Sequence, residues 1–116
     1  MLLVDDHQGT RSILLSVLTH ERFDVCGEAQ NGYEAIDKAA ELRPDVVVID
    51  LLMPRLNGIE TAPRIRCVVP HVKIILISGY LPPKLGSAAA RLAGAQAYVE
   101  KHTAIRDLGP AIRAVL

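Results

Sequence analysis

A chain of 116 residues suits one domain, half of it is hydrophobic, and 13 Lys plus Arg balance 13 Asp plus Glu to a net charge of zero. That balance gives no electrostatic footprint for nucleic acid, so functional charges must be local, and the apolar runs are too short to cross a bilayer. The two cysteines, Cys26 and Cys67, show neither metal-ligand spacing nor a disulfide framework; free thiols in a reducing cytosol are expected. A strand pattern that begins at Leu2 leaves no signal peptide ahead of it, so the predicted location is cytoplasmic. Phe23, Tyr33, Tyr80 and Tyr98 are the only aromatic residues, which makes the core aliphatic.

Apolar runs alternate with amphipathic stretches through a single unit, residues 1–116, without repeat or linker. Leu2-Leu3-Val4 predicts a first strand ending at Asp5-Asp6. Within residues 12–20, Ile13, Leu14, Val17 and Leu18 stand at helical spacing. Val25 to Ala29 reads as a short strand closed by the turn signal Asn31-Gly32. Ala35, Ile36, Ala39 and Leu42 mark a helix stopped at Arg43-Pro44. Val46 to Ile49 is a buried strand that ends at Asp50. A loop with Pro54 and Gly58 leads to a helix from about Ile59, with Pro63 in the first turn, where proline is tolerated, and Arg64 and Arg66 on a solvated face. Ile74 to Ile77 is a second buried strand, ending at Ser78-Gly79. Pro82-Pro83 and Gly86 make an irregular start to a helix over Leu85 to Leu92. Ala97-Tyr98-Val99 forms the last strand. Ile105, Leu108, Ile112 and Val115 mark the last helix, which Gly109-Pro110 should delay or bend.

Five β-then-α units predict an α/β fold: a doubly wound, five-stranded parallel sheet with helices on both faces. The first, third and fourth runs are apolar throughout, as strands covered on both faces must be. The second and fifth are short and mixed, as edge strands are, which gives the flavodoxin-like order 2-1-3-4-5. Ligands then bind beyond the carboxyl ends of the strands where the order reverses, between strands one and three.

Polar residues converge at that edge. Asp5 and Asp6 end strand one, Asp50 strand three, Ser78 strand four and Lys101 strand five. Each has an ordinary reading alone: a solvated turn, a polar strand end, a lysine protecting an edge. Together they fit phosphoryl chemistry. Clustered carboxylates repel one another until a hard divalent cation relieves them, and Mg²⁺ prefers oxygen ligands. Aspartate is a competent nucleophile toward phosphorus, and a cation, an ammonium and a hydroxyl suit the charge on a transferring phosphoryl group.

With those residues in place, the chain resembles the receiver domains of two-component response regulators over nearly its whole length. Leu3-Val4-Asp5-Asp6-His7 is similar to their acidic-pair motif, and Asp50 to Pro54 with Asn57-Gly58 to their phosphoacceptor segment. Ser78-Gly79 is similar to the hydroxyl-plus-small-residue motif, and Ala93-Gly94-Ala95 with Ala97 to Lys101 to the fifth-strand motif. The resemblance implies phosphorylation of Asp50 and binding of Mg²⁺ (or Mn²⁺) by Asp6, Asp50 and the Leu52 backbone carbonyl, with Asp5 assisting through water. It implies that Lys101 pairs with Asp50 or its phosphoryl group. Ser78, beside Gly79, would bond a phosphoryl oxygen, and Tyr98 would rotate inward in response rather than cover the sheet edge. The implied partners are a sensor histidine kinase or phosphotransfer protein, with switching of the fourth and fifth units and phosphorylation-dependent homodimerisation. His7 with Arg11 resembles regulators that carry LuxR-type helix-turn-helix outputs, so a C-terminal DNA-binding domain outside this chain and transcriptional control are expected. The chain is either a fragment or a stand-alone regulator, and the fragment itself is expected to bind neither DNA nor membrane.

Rival classes fit less well. Phosphatases with an aspartate nucleophile need a carboxylate two residues later, where Leu52 stands. A flavin mononucleotide carrier needs a Ser/Thr/Gly-rich loop where Asp5-Asp6 would repel phosphate. A dimerisation module that is never phosphorylated is the remaining alternative, although every acceptor-site residue is present. His20, His71 and His102 lack ligand spacing and read as solvated. His102 stands where many family members carry a proline, often in a cis peptide, which before a non-proline residue costs about 3 kcal/mol. Leu52 and Tyr80 occupy the two positions that flank water's approach to the phosphoryl group. Neither orients water, which predicts a long-lived phosphorylated state.

Overall fold

The structure, a computed structural model, describes residues 1–116. Its centre is set by two runs that tolerate no solvated face. β3 (Val46–Asp50) is buried at every position, and β4 (Lys73–Ser78) at every position but its first. With β1 (Leu2–Val4), β2 (Gly27–Ala29) and β5 (Ala97–Glu100) they form one parallel sheet in the order β2-β1-β3-β4-β5. The mixed sequences of β2 and β5 take the edges, as expected from burial on both faces of the inner strands.

Five helices cover the sheet: α1 (Gln8–His20), α2 (Gly32–Leu42), α3 (Gly58–Val68), α4 (Pro83–Ala93) and α5 (Ala104–Val115). The period-two alternation of the strands divides the core. Leu2, Val4, Val47, Ile49, Ile74 and Leu76 face α2, α3 and α4, whose Ala35, Ala39, Ala62, Ala89 and Ala90 allow close approach. Leu3, Val48, Ile75, Ile77 and Val99 face Leu14 and Leu18 of α1 and Leu108 and Ile112 of α5. No helix is long and apolar enough to cross a membrane.

Several element ends differ from the sequence reading. α1 begins at Gln8, before the apolar periodicity, because His7 is extended there and its Nδ1 accepts from the Thr10 amide at 3.0 Å. β2 is limited to Gly27–Ala29, and Val25 packs beside the core without joining the ladder. α3 starts at Gly58 under a capping box in which Asn57 and Glu60 satisfy each other's amides. Pro63 therefore lies in the second turn rather than the first, and Ile59 loses the amide partner that position 63 would supply. Pro83 opens α4, where its missing N–H costs no helical bond.

Gly109-Pro110 neither delays nor ends α5, which runs from Ala104 after a 3₁₀ turn at Lys101–Thr103. There is no cis peptide bond, so Lys101–His102 is trans. Burial of Leu108 and Ile112 on either side of Pro110 holds the helix together despite the missing bond to Arg106. Pro110→Ala is therefore expected to stabilise the fold by about 1–2 kcal/mol, less than the full helix-interior penalty because proline also restricts the unfolded chain. Urea denaturation of both proteins measures this; an unchanged or lower midpoint would mean that α5 already accommodates the ring without loss.

Candidate functional site

Parallel strands bring their carboxyl ends to one edge, and of the polar residues predicted to meet there Asp5, Asp6, Asp50 and Lys101 form one cluster. Asp5 follows β1 and continues its ladder, its amide donating to the Ala29 carbonyl at 3.1 Å. Asp50 closes β3. Gly58 lies so close behind it that an added Cβ would stand 2.7 Å from the Asp50 carbonyl oxygen, so glycine is required for α3 to start here. Asp5 and Asp50 are buried (0% and 3% exposed), whereas Asp6 is exposed. One carboxylate oxygen from each of the three lies within 4.8 Å of the others.

Lys101 stands between two of them, with Nζ 2.9 Å from Asp5 Oδ2 and 3.0 Å from Asp50 Oδ2. The His7 amide donates to Asp5 Oδ1 at 2.9 Å, and the Leu52 amide approaches Asp50 Oδ1 at 3.3 Å. Burial pushes the Asp50 carboxyl up from an ordinary 3.8 to about 6; the hydrogen bond and charge of Lys101 oppose this, and the charge of Asp5 adds to it. Burial pushes Lys101 down, but its hydrogen bonds and charge pairing with Asp5 and Asp50 outweigh this and raise it above its ordinary value.

One ammonium cannot neutralise three carboxylates. Buried Asp5 Oδ2 has the Lys101 ammonium as its charged partner, and that ammonium is shared with Asp50. An all-oxygen donor set with excess negative charge fits a hard divalent cation such as Mg²⁺. Asp6, His7, Thr10, Asp50, Leu52, Gly79, Tyr80 and Lys101 line the open cleft above this cluster.

Ser78 is buried, and its Oγ accepts from the Tyr80 amide at 3.1 Å. Gly79 is not required by space, since a Cβ there would meet only Lys101 carbons at 3.9 Å. Tyr98 points inward: its hydroxyl donates to the Leu81 carbonyl at 2.8 Å, with a longer approach to the Ser78 carbonyl at 3.4 Å. Burial raises its pKa. The ring lies against Gly86 of α4, where a Cβ would stand 2.0 Å from Cε2. Gly86, read from the sequence only as a helix irregularity, is thus the slot that admits Tyr98.

Some residues depart from their expected roles. Arg64 is exposed as expected, but Arg66 is half-buried: it donates to the carbonyls of Val72 (3.0 Å) and Gly94 (2.7 Å) and clasps two loops. His7 and Thr10 join the cleft wall; no ligand spacing marked them, and only the helix cap explains their placement. His20, His71 and His102 are exposed and lie outside the cluster. Cys26 and Cys67 are free and exposed.

This sheet, with an acidic cluster and a lysine at its switch point, defines an α/β fold with a cation-compatible strand-end site. The chain belongs to the response regulator receiver domain family, which it matches over residues 1–113. The response regulator protein VraR of Staphylococcus saprophyticus is 35% identical over 114 residues, covering 97% of this chain and 54% of the relative. The chain thus spans about half the length of the curated relatives it matches. A DNA-binding response regulator of the LuxR family from Staphylococcus aureus superposes with a TM-score of 0.85 at 27% identity, covering 98% of this chain and 96% of the other. The CheX-CheY-BeF3-Mg+2 complex from Borrelia burgdorferi superposes with a TM-score of 0.88 at 27% identity, covering 98% and 86%.

The shift at Asp50 has a consequence for stability. The folded protein retains that proton up to about pH 6, whereas the unfolded chain releases it near 3.8. The favourable contribution is complete below about 3.8 and is lost as pH rises through about 6, an effect of up to about 3 kcal/mol. Asp50→Asn is therefore expected to stabilise the metal-free protein by about 1–3 kcal/mol at about pH 7.5, and by much less at about pH 4. Urea denaturation in a chelator at both pH values checks this. A gain of the same size at both would show that ionisation of Asp50 is not its source.

Proposed function

We propose that this receiver domain accepts a phosphoryl group on Asp50 from a sensor histidine kinase, a phosphotransfer protein or a small phosphodonor. The observation that carries the reading is the bridge of Lys101 between Asp5 and Asp50 inside the three-carboxylate cluster. An Asp50 oxygen attacks phosphorus in line. The new P–O bond forms as the bond to the donor breaks, and the leaving group departs with its electron pair. With a carboxyl near 6, Asp50 is mostly ionised at neutral pH and ready to attack.

Asp6, Asp50 and the Leu52 carbonyl would hold Mg²⁺ or Mn²⁺, with Asp5 assisting through water. When bound, the cation supplies neutralisation of charge on the phosphoryl oxygens. Lys101 supplies the second positive charge. The Ser78 hydroxyl turns toward a phosphoryl oxygen and perturbs the Ser78–Leu81 turn to which Tyr98 is tied. In this reading the domain acts only on itself and passes its state through α4 and β5.

Kinship with longer regulators supports a C-terminal LuxR-type DNA-binding output, transcriptional control in the cytoplasm and phosphorylation-dependent homodimerisation. DNA contact then belongs to that output rather than to the receiver. Acetyl phosphate with Mg²⁺ is expected to add one phosphoryl group to the wild type and none to Asp50→Asn, read by intact mass. Equal labelling of both proteins would remove Asp50 from the role.

Leu52 and Tyr80 flank the cleft, 47% and 79% exposed. Neither carries a group that orients an attacking water, so the phosphorylated state is expected to be long-lived. Tyr80 is open to solvent, which assigns more of the shielding to Leu52. Leu52→Asn and Tyr80→Glu are each expected to speed phosphoryl loss by roughly tenfold, less than the roughly hundredfold or more of a fully positioned general base. Kinase-free decay with Mg²⁺ tests this; wild-type rates in both variants would refute the unassisted-water account.

A further inference from the structure

We infer that Arg11 is a positioning residue for the divalent cation: by bridging the Asp5 carbonyl and the Glu28 carboxylate, it holds the Asp5-Asp6 corner in register with Asp50. The inference rests on the phosphoacceptor reading above. β1 is only three residues long, and its pairing with β2 runs out at Val4 and Ala29, followed by the single bond from the Asp5 amide. Asp5 is thus the last residue with a ladder bond, and Asp6 lies beyond the end of the sheet.

Arg11 acts at this break. Its Nη1 donates to the Asp5 carbonyl at 2.7 Å, and its Nε donates to Glu28 Oε1 at 3.0 Å. The Arg11 side chain is only 15% exposed, so solvent competes little for these bonds. Glu28 is itself anchored, because Lys38 of α2 donates to its carbonyl at 2.6 Å. The tie therefore runs from α2 through the edge strand to the first residue of the acidic cluster. A guanidinium can serve both acceptors from one rigid fork; an ammonium is a single point charge.

The sign of the effect on Mg²⁺ separates positioning from simple electrostatics. Arg11 is a positive charge beside a cation site, so by Coulomb's law alone its removal tightens cation binding. If Arg11 acts by holding Asp5 and Asp6, its removal weakens binding instead, as loss of residues that orient metal ligands does.

The test is a titration of Mg²⁺ alone into unphosphorylated protein, followed by the amide resonances of residues 5–11. It compares wild type, Arg11→Met, Arg11→Lys and Glu28→Gln, with metal-free melting and acetyl phosphate labelling measured alongside. Arg11→Met is expected to weaken Mg²⁺ binding about tenfold or more, Arg11→Lys by less, and Glu28→Gln about threefold. Labelling of Arg11→Met should be slow at low Mg²⁺ and return toward wild type at saturation, which a general loss of structure would not do. Unchanged or tighter Mg²⁺ binding in folded Arg11→Met overturns the inference. If that variant does not fold, wild-type affinity in both Arg11→Lys and Glu28→Gln overturns it. A wild type that neither binds Mg²⁺ nor becomes labelled removes the phosphoacceptor reading and this inference with it. A labelled wild type with indistinguishable variants removes this inference alone.

Discussion

The fold is organised around an electrostatic conflict. Asp5, Asp6 and Asp50 are held within 4.8 Å of one another, two of them buried, with only Lys101 in contact to offset them. Such an arrangement persists only because the backbone leaves no alternative. β1 and β3 are neighbours in the sheet, paired in register from Leu2 with Val47 to Val4 with Ile49, so their following residues are placed side by side. Apolar burial on both faces secures that register. Part of the stability from the core is thus offset by a cluster whose excess negative charge favours a cation.

How much of this was legible in the sequence depends on the kind of interaction. Unbroken apolar runs identified the inner strands, and mixed ones identified the edges, because burial on two faces and on one face leave different patterns. The strand-end residues followed directly, since a parallel sheet brings all carboxyl ends to one side. Helix starts were harder to read. The first turn of α1 contains no apolar residue, and its beginning is set by the His7 cap, a local hydrogen bond without periodicity. By propensity Gly109-Pro110 should delay or bend α5, but burial of Leu108 and Ile112 keeps the helix continuous from Ala104.

The hidden features join residues far apart in the chain. Arg66 reaches the Gly94 carbonyl, 28 positions away, and no local pattern announces that contact. Gly86 looks like a weak point in a helix until the Tyr98 ring is placed beside it. The Ser78–Leu81 turn then has two clients: its Gly79 and Tyr80 line the cleft over the acidic site, while the Leu81 carbonyl holds Tyr98. Movement at one end of this four-residue segment must be accommodated at the other, which gives the chemistry a short mechanical route to α4 and β5.

The placement of the tyrosines has a spectroscopic consequence. The sequence has no tryptophan, so intrinsic emission comes from Tyr33, Tyr80 and Tyr98 alone. Tyr80 borders the cleft, and Tyr98 is anchored to the turn behind it. Two of the three emitters therefore sit at or just behind the cleft, one exposed and one half-buried. A change of charge or hydrogen bonding in the cleft would reach both rings and be expected to alter the emission, with no dye or engineered side chain needed to see it.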